Sequence, residues 1–435
     1  MKKRKMAIFV PHQDDEVNLV GNILGDLIKK YDVYIIYSSL DISTEKAVIR
    51  KNEAINACKV YGIEKEKIIF LGFPDSPNRI GHHYFTDGAR EIVQMIQEII
   101  KMMKPEIVIG TDFDFHADHR MLSLALDDAI REILIENPDY KLQYLKGFCY
   151  ETAYYGVDDY SASELENTKV IGDLLGNVSY RWEERKSVKS NEKNGFIFKK
   201  RAYKALKYHA SQYAVLHARS IINADNVFWQ KRTDNQMLYA EIYLMGNKSR
   251  LSVLNDFKVI DTDDIVSIEP TKIDYSKGVW KSENEREDIV VKWLQKVTID
   301  RLVFHGNPNS EVKRELNLSV YDEKKNKICE LDNIAERGRA TSVYFEPLEC
   351  KELLIKLVSK DKLIELSEIE AYFGDSELNI LEPKLVRNNE SKPAKNNFID
   401  YLDLICFRMK VLITKIKRRI KNEKKKLFEK ANYTK

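Results

Sequence analysis

Two short polar segments contain most of the side chains in this sequence that could do chemistry. The first is Pro11-His12-Gln13-Asp14-Asp15-Glu16, with one imidazole and three carboxylates. The second is Asp112-Phe113-Asp114-Phe115-His116-Ala117-Asp118-His119, with two imidazoles and three carboxylates. A catalytic divalent metal needs about three protein ligands of these types and an open position for water. The two segments together predict a metal centre of a hydrolytic kind.

Each segment follows an apolar run that predicts a β-strand, residues 7–10 in one case and 107–110 in the other. Ligands of open α/β sheets bind at the carboxyl ends of strands, so both segments lie where a site is expected. His12, Asp15 and one histidine of the second segment can supply two nitrogens and one oxygen. Asp14 then remains to deprotonate water, and the other histidine remains to donate to an oxyanion. The alternative for either segment alone is an acidic loop that caps the next helix.

The elements around these segments predict an α/β domain with a Rossmann-like, mostly parallel sheet. Strands are expected at 7–10, 33–37, 68–71, 106–110 and 147–150, and the segments between them have helical periodicity. A helix is expected over 201–222 and a late strand over 227–231. This first domain is expected to cover residues 1–245.

After residue 251 the pattern changes to short alternating runs without intervening helices, which predicts an antiparallel β-sandwich over 250–374. Strands are expected at 289–293, 299–304, 316–321, 342–345, 353–358 and 365–373. The polar segment 375–398 is typical of a linker. Residues 399–435 contain 12 basic and four acidic residues, a net charge of +8, and apolar residues recur there at helical spacing. This segment is predicted to be a basic amphipathic helix.

Composition excludes several classes of protein. The chain has 435 residues, a formal net charge of +3 and 43% hydrophobic residues, so it is folded and offers no bulk charge for nucleic acid. Five scattered cysteines without a C-x-x-C pair argue against a disulfide framework or a cysteine zinc site. No apolar run is long enough for a signal peptide or a membrane span. The expected location is the cytoplasm, with peripheral attachment at the inner membrane face.

The first segment resembles the (A/P)-H-P-D-D-E signature of the PIG-L or LmbE-like metal-dependent de-N-acetylases, and His116-Ala117-Asp118-His119 resembles their H-x-D-H motif. Further landmarks of the resemblance are Arg50-x-x-Glu53, Leu71-Gly72-Phe73-Pro74-Asp75 and His209-x-Ser211-Gln212. The resemblance covers roughly the first 230 residues. Gln13 replaces the usual proline, which removes no ligand.

The resemblance implies a role for each matching residue. His12, Asp15 and His119 would bind zinc, Asp14 would be the general base, and His116 would stabilise the tetrahedral intermediate or protonate the leaving amine. Arg50 and His209 would be substrate-binding residues. An ordinary helix ion pair with Glu53 is the alternative for Arg50, and a core histidine is the alternative for His209. Fe2+ also suits two histidines and one carboxylate, although iron oxygenases usually place that set in a β-barrel.

The second domain resembles the discoidin or coagulation-factor type C family, a galactose-binding-like jelly roll, through Trp280-Lys281-Ser282 and Leu366-Ser367-Glu368-Ile369-Glu370-Ala371-Tyr372. That resemblance implies a glycan ligand; a docking module without a ligand is the alternative. The expected activity is a zinc-dependent hydrolase that removes acetyl from an N-acetylglucosamine-type amino sugar in a glycan or glycolipid. The alternatives are hydrolysis of another amide on the same fold and a catalytically silent glycan-binding scaffold. The basic helix is expected to meet an anionic membrane surface.

Overall fold

A computed structural model of the protein describes residues 3–75, 89–111, 117–147, 149, 186–188, 200–217, 227–258, 278–307, 316–334, 340–360, 363–375, 378–382, 384–385, 405–406, 409 and 412–424. These residues form two β-sheets, the helices that cover the first sheet, and a C-terminal helix.

The first sheet has eight strands among the described residues. They are β1 (Arg4–Val10), β2 (Tyr31–Leu40), β3 (Ile68–Pro74), β4 (Ile107–Thr111), β5 (Gln143–Gly147), β6 (Lys186–Ser187), β7 (Val227–Lys231) and β15 (Lys384–Leu385). Their order is β15-β6-β7-β5-β4-β1-β2-β3. Strands β5, β4, β1, β2 and β3 are parallel, and β7, β6 and β15 continue the sheet in antiparallel pairing. The predicted mostly parallel α/β sheet is confirmed.

Within the described ranges, five α-helices accompany this sheet: α1 (Asp15–Lys30), α2 (Thr44–Tyr61), α3 (Ala89–Met103), α4 (Ala117–Glu136) and α5 (Arg201–Leu206). The alternation of side chains along β1 explains why both faces of the sheet are covered. Met6, Ile8 and Val10 pack into the core under α1, α2 and α5, whereas Ala7 and Phe9 pack into the core under α3 and α4. All five side chains are completely buried.

Strand β1 lies between β4 and β2, which is the point where the order of the parallel strands reverses. In open α/β sheets such a reversal leaves a crevice at the carboxyl ends of the two central strands. The two polar segments follow β1 and β4, so the topology brings both to this crevice.

The second sheet is antiparallel throughout its described strands, as predicted. Its strands are β8 (Ala240–Leu244), β9 (Trp280–Lys281), β10 (Arg286–Gly306), β11 (Leu316–Asp322), β12 (Lys327–Leu331), β13 (Thr341–Ser359) and β14 (Glu365–Tyr372). The path is β12-β11-β13-β10-β14-β9, and β8 pairs with the first part of β10.

Two pairs of predicted strands are single long strands in this sheet. The expected strands at 289–293 and 299–304 both belong to β10, and those at 342–345 and 353–358 both belong to β13. A register shift between Lys292 and Val297 interrupts the alternation and exposes 87% of Leu294. Such a bulge bends a strand without ending it, which is why the pattern looks like two strands. Strand β12 was not predicted.

Three expected boundaries are corrected. Strand β8 lies before residue 245 but pairs with β10, so the second sheet begins inside the expected first domain. The expected linker 375–398 contains β15, which pairs with β6 in the first sheet. The strand expected at 147–150 lies at Gln143–Gly147, because Tyr144 and Leu145 alternate into the two cores of the first sheet.

The helix expected over 201–222 ends at Leu206, and two 3-10 turns follow it within the described residues. Tyr213 has a left-handed backbone (φ 56°), which closes the first of these turns. Residues 412–424 form the predicted C-terminal helix. No helix in the described part of the chain is long and apolar enough to cross a membrane. The five cysteines all lie in described parts of the chain, and none of them is in a disulfide.

Candidate active site

The loop between β1 and α1 is anchored to the neighbouring strand. Ser39 of β2 donates its backbone N–H to the carbonyl of Pro11 (3.0 Å). Gln13 donates its side-chain amide to the carbonyl of Ser39 (2.6 Å) and is completely buried. At the position where the resembled family has proline, this chain therefore holds the loop by a side-chain hydrogen bond.

Three of the predicted ligands meet at the crevice. The Nδ1 atom of His12, the Oδ2 atom of Asp15 and the Nε2 atom of His119 form a triangle with sides of 3.1, 3.2 and 3.3 Å. Ligand atoms about 2.0–2.1 Å from a tetrahedral metal are about 3.3 Å apart. Asp15 and His119 are each 1% exposed and His12 is 8% exposed. The donor atoms thus have the chemistry, spacing and burial that a tetrahedral zinc-type ion requires.

The second nitrogen of His12 faces two further carboxylates. Its Nε2 atom lies 2.9 Å from Oδ2 of Asp118 and 3.3 Å from Oδ1 of Asp75. A ligating histidine typically donates its other ring N–H to a carboxylate, which orients the ring and leaves the opposite nitrogen for the metal. Sequence reasoning assigned no chemistry to Asp118 and named Asp75 only as part of a landmark of the resemblance. Their positions in the H-x-D-H motif and at the end of β3 were the available signals.

These contacts set the pKa values of the cluster. Burial alone lowers the pKa of His12, but the charge of Asp75 and hydrogen bonds to Asp118 and Asp15 raise it well above its usual value. Burial alone raises the pKa of Asp15, but His119 and His12 hold it well below its usual value. The carboxylate that a metal needs is therefore charged.

Asp14 has a strained backbone and a free side chain. Its φ of 145° and ψ of −21° lie in a region that non-glycine residues rarely adopt. It occupies the N-cap position of α1 but makes no side-chain capping bond, so the alternative in which this acid only caps the helix is wrong. Burial and the charge of Asp15 raise the pKa of Asp14 to about 7, while His209, Arg50 and His12 act in the opposite direction.

Glu16 stabilises the backbone conformation of Asp14. One carboxylate oxygen accepts the backbone N–H of Asp14 (3.0 Å), and the other lies 2.8 Å from Nε2 of His209. His209 and Glu16 are both completely buried. Burial lowers the pKa of His209, but the charge and hydrogen bond of Glu16 raise it overall. His209 therefore reaches the site through Glu16, and its buried ring has no exposed surface to offer a substrate.

Arg50 reaches the site from α2. Its guanidinium donates to Oδ2 of Asp75 (2.7 Å), and the residue is only 4% exposed. The pKa of Asp75 is lowered because the charges of His12 and Arg50 outweigh its burial. Glu53 instead accepts hydrogen bonds from the N–H and hydroxyl of Ser211 (2.9 and 2.6 Å). The alternative of an Arg50–Glu53 ion pair is wrong.

The predicted intermediate-stabilising residue, His116, lies outside the described residues, as do Asp112 and Asp114. The described cluster combines a His-Asp-His donor set that could hold a metal ion, a buried carboxylate without a capping role, and an arginine.

The comparison with protein families gives a match in the first domain. Residues 7–130 match the model of the PIG-L family, described as GlcNAc-PI de-N-acetylase. The first domain therefore contains a PIG-L domain, and the resemblance noted from the sequence is confirmed there. A comparison with curated proteins gave no match.

Solved structures similar to the chain include an N,N'-diacetylchitobiose deacetylase from Pyrococcus horikoshii, with 17% identity and a TM-score of 0.27 over 34% of this chain and 61% of the deacetylase. The chain thus spans less than two thirds of that protein. A Streptococcus pneumoniae fucose binding module is 15% identical, with a TM-score of 0.24 over 31% of this chain and 93% of the module. A CBM32 module from Clostridium perfringens, solved with GalNAc-β-1,3-galactose, is 12% identical, with a TM-score of 0.24 over 32% of this chain and 97% of the module.

Proposed function

We propose that the protein is a metal-dependent de-N-acetylase that acts on an N-acetylglucosamine-type unit of a glycan or glycolipid. The observation that carries the proposal is the triangle of His12, Asp15 and His119 donor atoms beside the buried carboxyl group of Asp14. The match of residues 7–130 to a family described as a de-N-acetylase supports the reaction type.

The three donor residues would hold the metal, with Zn2+ preferred because the donor spacing fits a tetrahedral ion; Fe2+ is the alternative. Such an ion supplies Lewis-acid polarisation of the amide carbonyl and a lowered pKa for water. Asp118 would fix the ring of His12, since its carboxylate lies 2.9 Å from Nε2. Asp75 would add negative charge at the same nitrogen, and Arg50 would hold Asp75 in place.

Asp14 would accept the proton of the attacking water. Its carboxyl group is adjacent in sequence to the ligand Asp15, and the Glu16 contact holds its backbone in the conformation that keeps the side chain out of the helix cap. His116 stays the predicted donor to the oxyanion or to the leaving amine. The products would be acetate and the free amine of the sugar.

The second domain bears on which substrate the whole chain uses. A glycan ligand for that domain stays a prediction, as does the identity of the sugar on which the first domain acts. A protein with both functions would hold a glycan with one domain and deacetylate it with the other.

The test is acetate release from a panel of N-acetylglucosamine glycosides, with metal content measured on the same samples. Asp14→Asn should retain about one metal per chain and lose acetate release, because only the base is removed. His12→Ala should lose both. Asp375→Asn, at an exposed carboxylate three residues after β14, is the matched control and should behave like the unmodified protein.

Bound metal without acetate release from any sugar would contradict the substrate class and favour another amide. A protein without metal and without activity would favour a glycan-binding scaffold. Equal activity in Asp14→Asn would contradict the role of Asp14 while leaving the metal site intact.

A further inference from the structure

The C-terminal helix exposes an apolar stripe to solvent. Six large apolar side chains of this segment are between 38% and 58% exposed: Ile405, Met409, Leu412, Ile413, Ile416 and Ile420. At about 100° per residue they fall within an arc of roughly 100° on one side of the helix. An apolar stripe of this width normally faces a protein core.

Basic side chains border the stripe on both sides. By helical spacing, Lys417 and Lys424 lie along one border, and Lys415 and Arg419 lie along the other. All four are exposed. The segment 399–435 carries a net charge of +8, which leaves −5 for the rest of the chain. Positive charge and exposed apolar surface therefore coincide in one element.

Two basic side chains on the opposite side of the helix lie near Tyr213 of the first domain. The guanidinium of Arg418 lies 5.3 Å from the centre of the Tyr213 ring, and the ammonium of Lys421 lies 6.0 Å from it. Cations at such distances interact favourably with an aromatic face. Because these two residues are on the side opposite the apolar stripe, the stripe points away from the domain that the helix contacts.

We propose that this helix lies in the plane of an anionic lipid bilayer, with its apolar stripe at the acyl boundary and its flanking lysines and arginines at the headgroups. A basic amphipathic helix binds such surfaces through these two contributions together. The charge of the borders favours anionic lipid as the occupant over a second copy of this helix, since two copies would bring like charges together.

The bound helix would also hold the site close to the lipid. Tyr213 closes the turn that begins at His209, and His209 contacts Glu16 beneath Asp14. The active-site domain is thereby attached to the membrane-facing element through the same turn. The proposal concerns a surface and does not depend on the reaction proposed above.

Flotation of the full chain with vesicles tests the surface. Binding is expected with phosphatidylglycerol and phosphatidylcholine mixtures at low salt, and much less with phosphatidylcholine alone. The double variant Ile413→Ser, Ile416→Ser should lower the partition coefficient by roughly tenfold or more. Leu294→Ser, at an apolar residue of β10 that is 87% exposed, is the matched control and should bind normally.

The charge contribution is tested separately. Lys417→Gln with Lys424→Gln should lower binding at low salt by roughly tenfold or more, whereas Lys296→Gln on the second sheet should not. Acetate release from a water-soluble glycoside should be unchanged in all these variants, so that loss of binding and loss of chemistry are distinguishable.

Several results would overturn the proposal. They are the absence of flotation with anionic vesicles at low salt, equal binding to neutral vesicles, and normal binding by both double variants. Self-association that needs Ile413 and Ile416 without any vesicle binding would instead identify a second copy as the occupant. Salt-sensitive binding to RNA with no vesicle binding would identify a nucleic acid.

Discussion

Helix α4 contributes to two buried clusters of charge that are built in opposite ways. At its first turn, Asp118 and His119 join the metal-donor cluster, which comprises His12, Asp15 and His119 with the supporting acids Asp75 and Asp118. Further along the same helix, Asp127 forms the Asp127 cluster with Lys146 and Lys231. The two clusters differ in which sign of charge is in excess.

The Asp127 cluster is complete within the chain. Oδ2 of Asp127 lies 3.0 Å from the ammonium groups of both Lys146 and Lys231, and Oδ1 accepts the hydroxyl of Tyr144 at 3.0 Å. Lys231 also donates to the carbonyl of Phe257. Phe257 packs into the core under α4, so this cluster joins the first sheet to the segment that leads into the second.

The metal-donor cluster instead has an excess of carboxylates. Asp15, Asp75 and Asp118 contact the imidazoles of His12 and His119, and the guanidinium of Arg50 contacts Asp75. An excess of buried carboxylates is costly unless a cation balances it. The Asp127 cluster takes its counter-charge from the chain itself, whereas the metal-donor cluster offers carboxylate and imidazole donors to a bound cation.

The largest effect is expected from breaking the complete cluster. Asp127→Ala leaves two buried ammonium groups without their carboxylate and should lower the free energy of unfolding by about 3–5 kcal/mol. Urea denaturation measures this loss. Asp128→Ala, at the next residue of α4, removes a half-exposed partner of Lys258 and should cost less than about 1 kcal/mol. Equal losses in the two variants would contradict the distinction.

A smaller effect is expected from the supporting acid of the metal-donor cluster. Asp118→Asn weakens the hydrogen bond that orients His12 and should lower metal affinity by about 10–100-fold. Competition of zinc between the protein and a chelator measures this affinity. The stability of the metal-free protein should hardly fall, because the excess of carboxylates is reduced. Asp128→Asn is the control on the same helix. Unchanged metal affinity in Asp118→Asn would contradict a role of Asp118 in orienting His12.

The smallest effect is expected at Glu368, a buried acid next to Asp256 and Glu370. Protonation of Glu368 relieves the repulsion between these carboxylates. Burial and the charges of Asp256 and Glu370 raise the pKa of Glu368 well above its usual value, against the effect of Lys231. A group whose pKa is higher in the folded state stabilises the folded protein at pH values below its unfolded pKa of 4.5. This contribution to stability is lost as the pH rises through the folded pKa. Glu368→Gln should therefore remove this slope and raise stability at neutral pH by on the order of 1 kcal/mol.

Glu370 provides the contrasting variant. Its carboxylate lies 3.0 Å from Nε2 of His305, and the charge of His305 lowers its pKa despite burial. Its contribution is present above the unfolded pKa and is lost as the pH falls through the folded pKa. Glu370→Gln should destabilise the protein at neutral pH. Thermal unfolding across pH 4–8 measures both variants, and slopes of the same sign would contradict the assignment.

Much of the fold was predictable because its signals are local. Strand β1 and the helix after it are encoded by neighbouring residues, and the alternation of Met6 to Val10 reports burial on two faces. The long strands were harder, since the bulge around Leu294 hides the continuity of β10. The pairing of β8 with β10 was not predictable, because the sequence of a five-residue strand does not specify which strand it pairs with.

The sequence by itself placed His12, Asp15 and one histidine of the second segment after strands whose carboxyl ends meet at the reversal point of a parallel sheet, and the family resemblance singled out His119. The tertiary structure decided which other residues join them. Asp118 contacts His12 across 106 residues, His209 contacts Glu16 across 193, and Arg50 turned to Asp75 rather than to Glu53. Such contacts depend on how each helix is rotated and packed against the sheet. The sum of distant packing interactions sets that rotation, which local spacing does not encode.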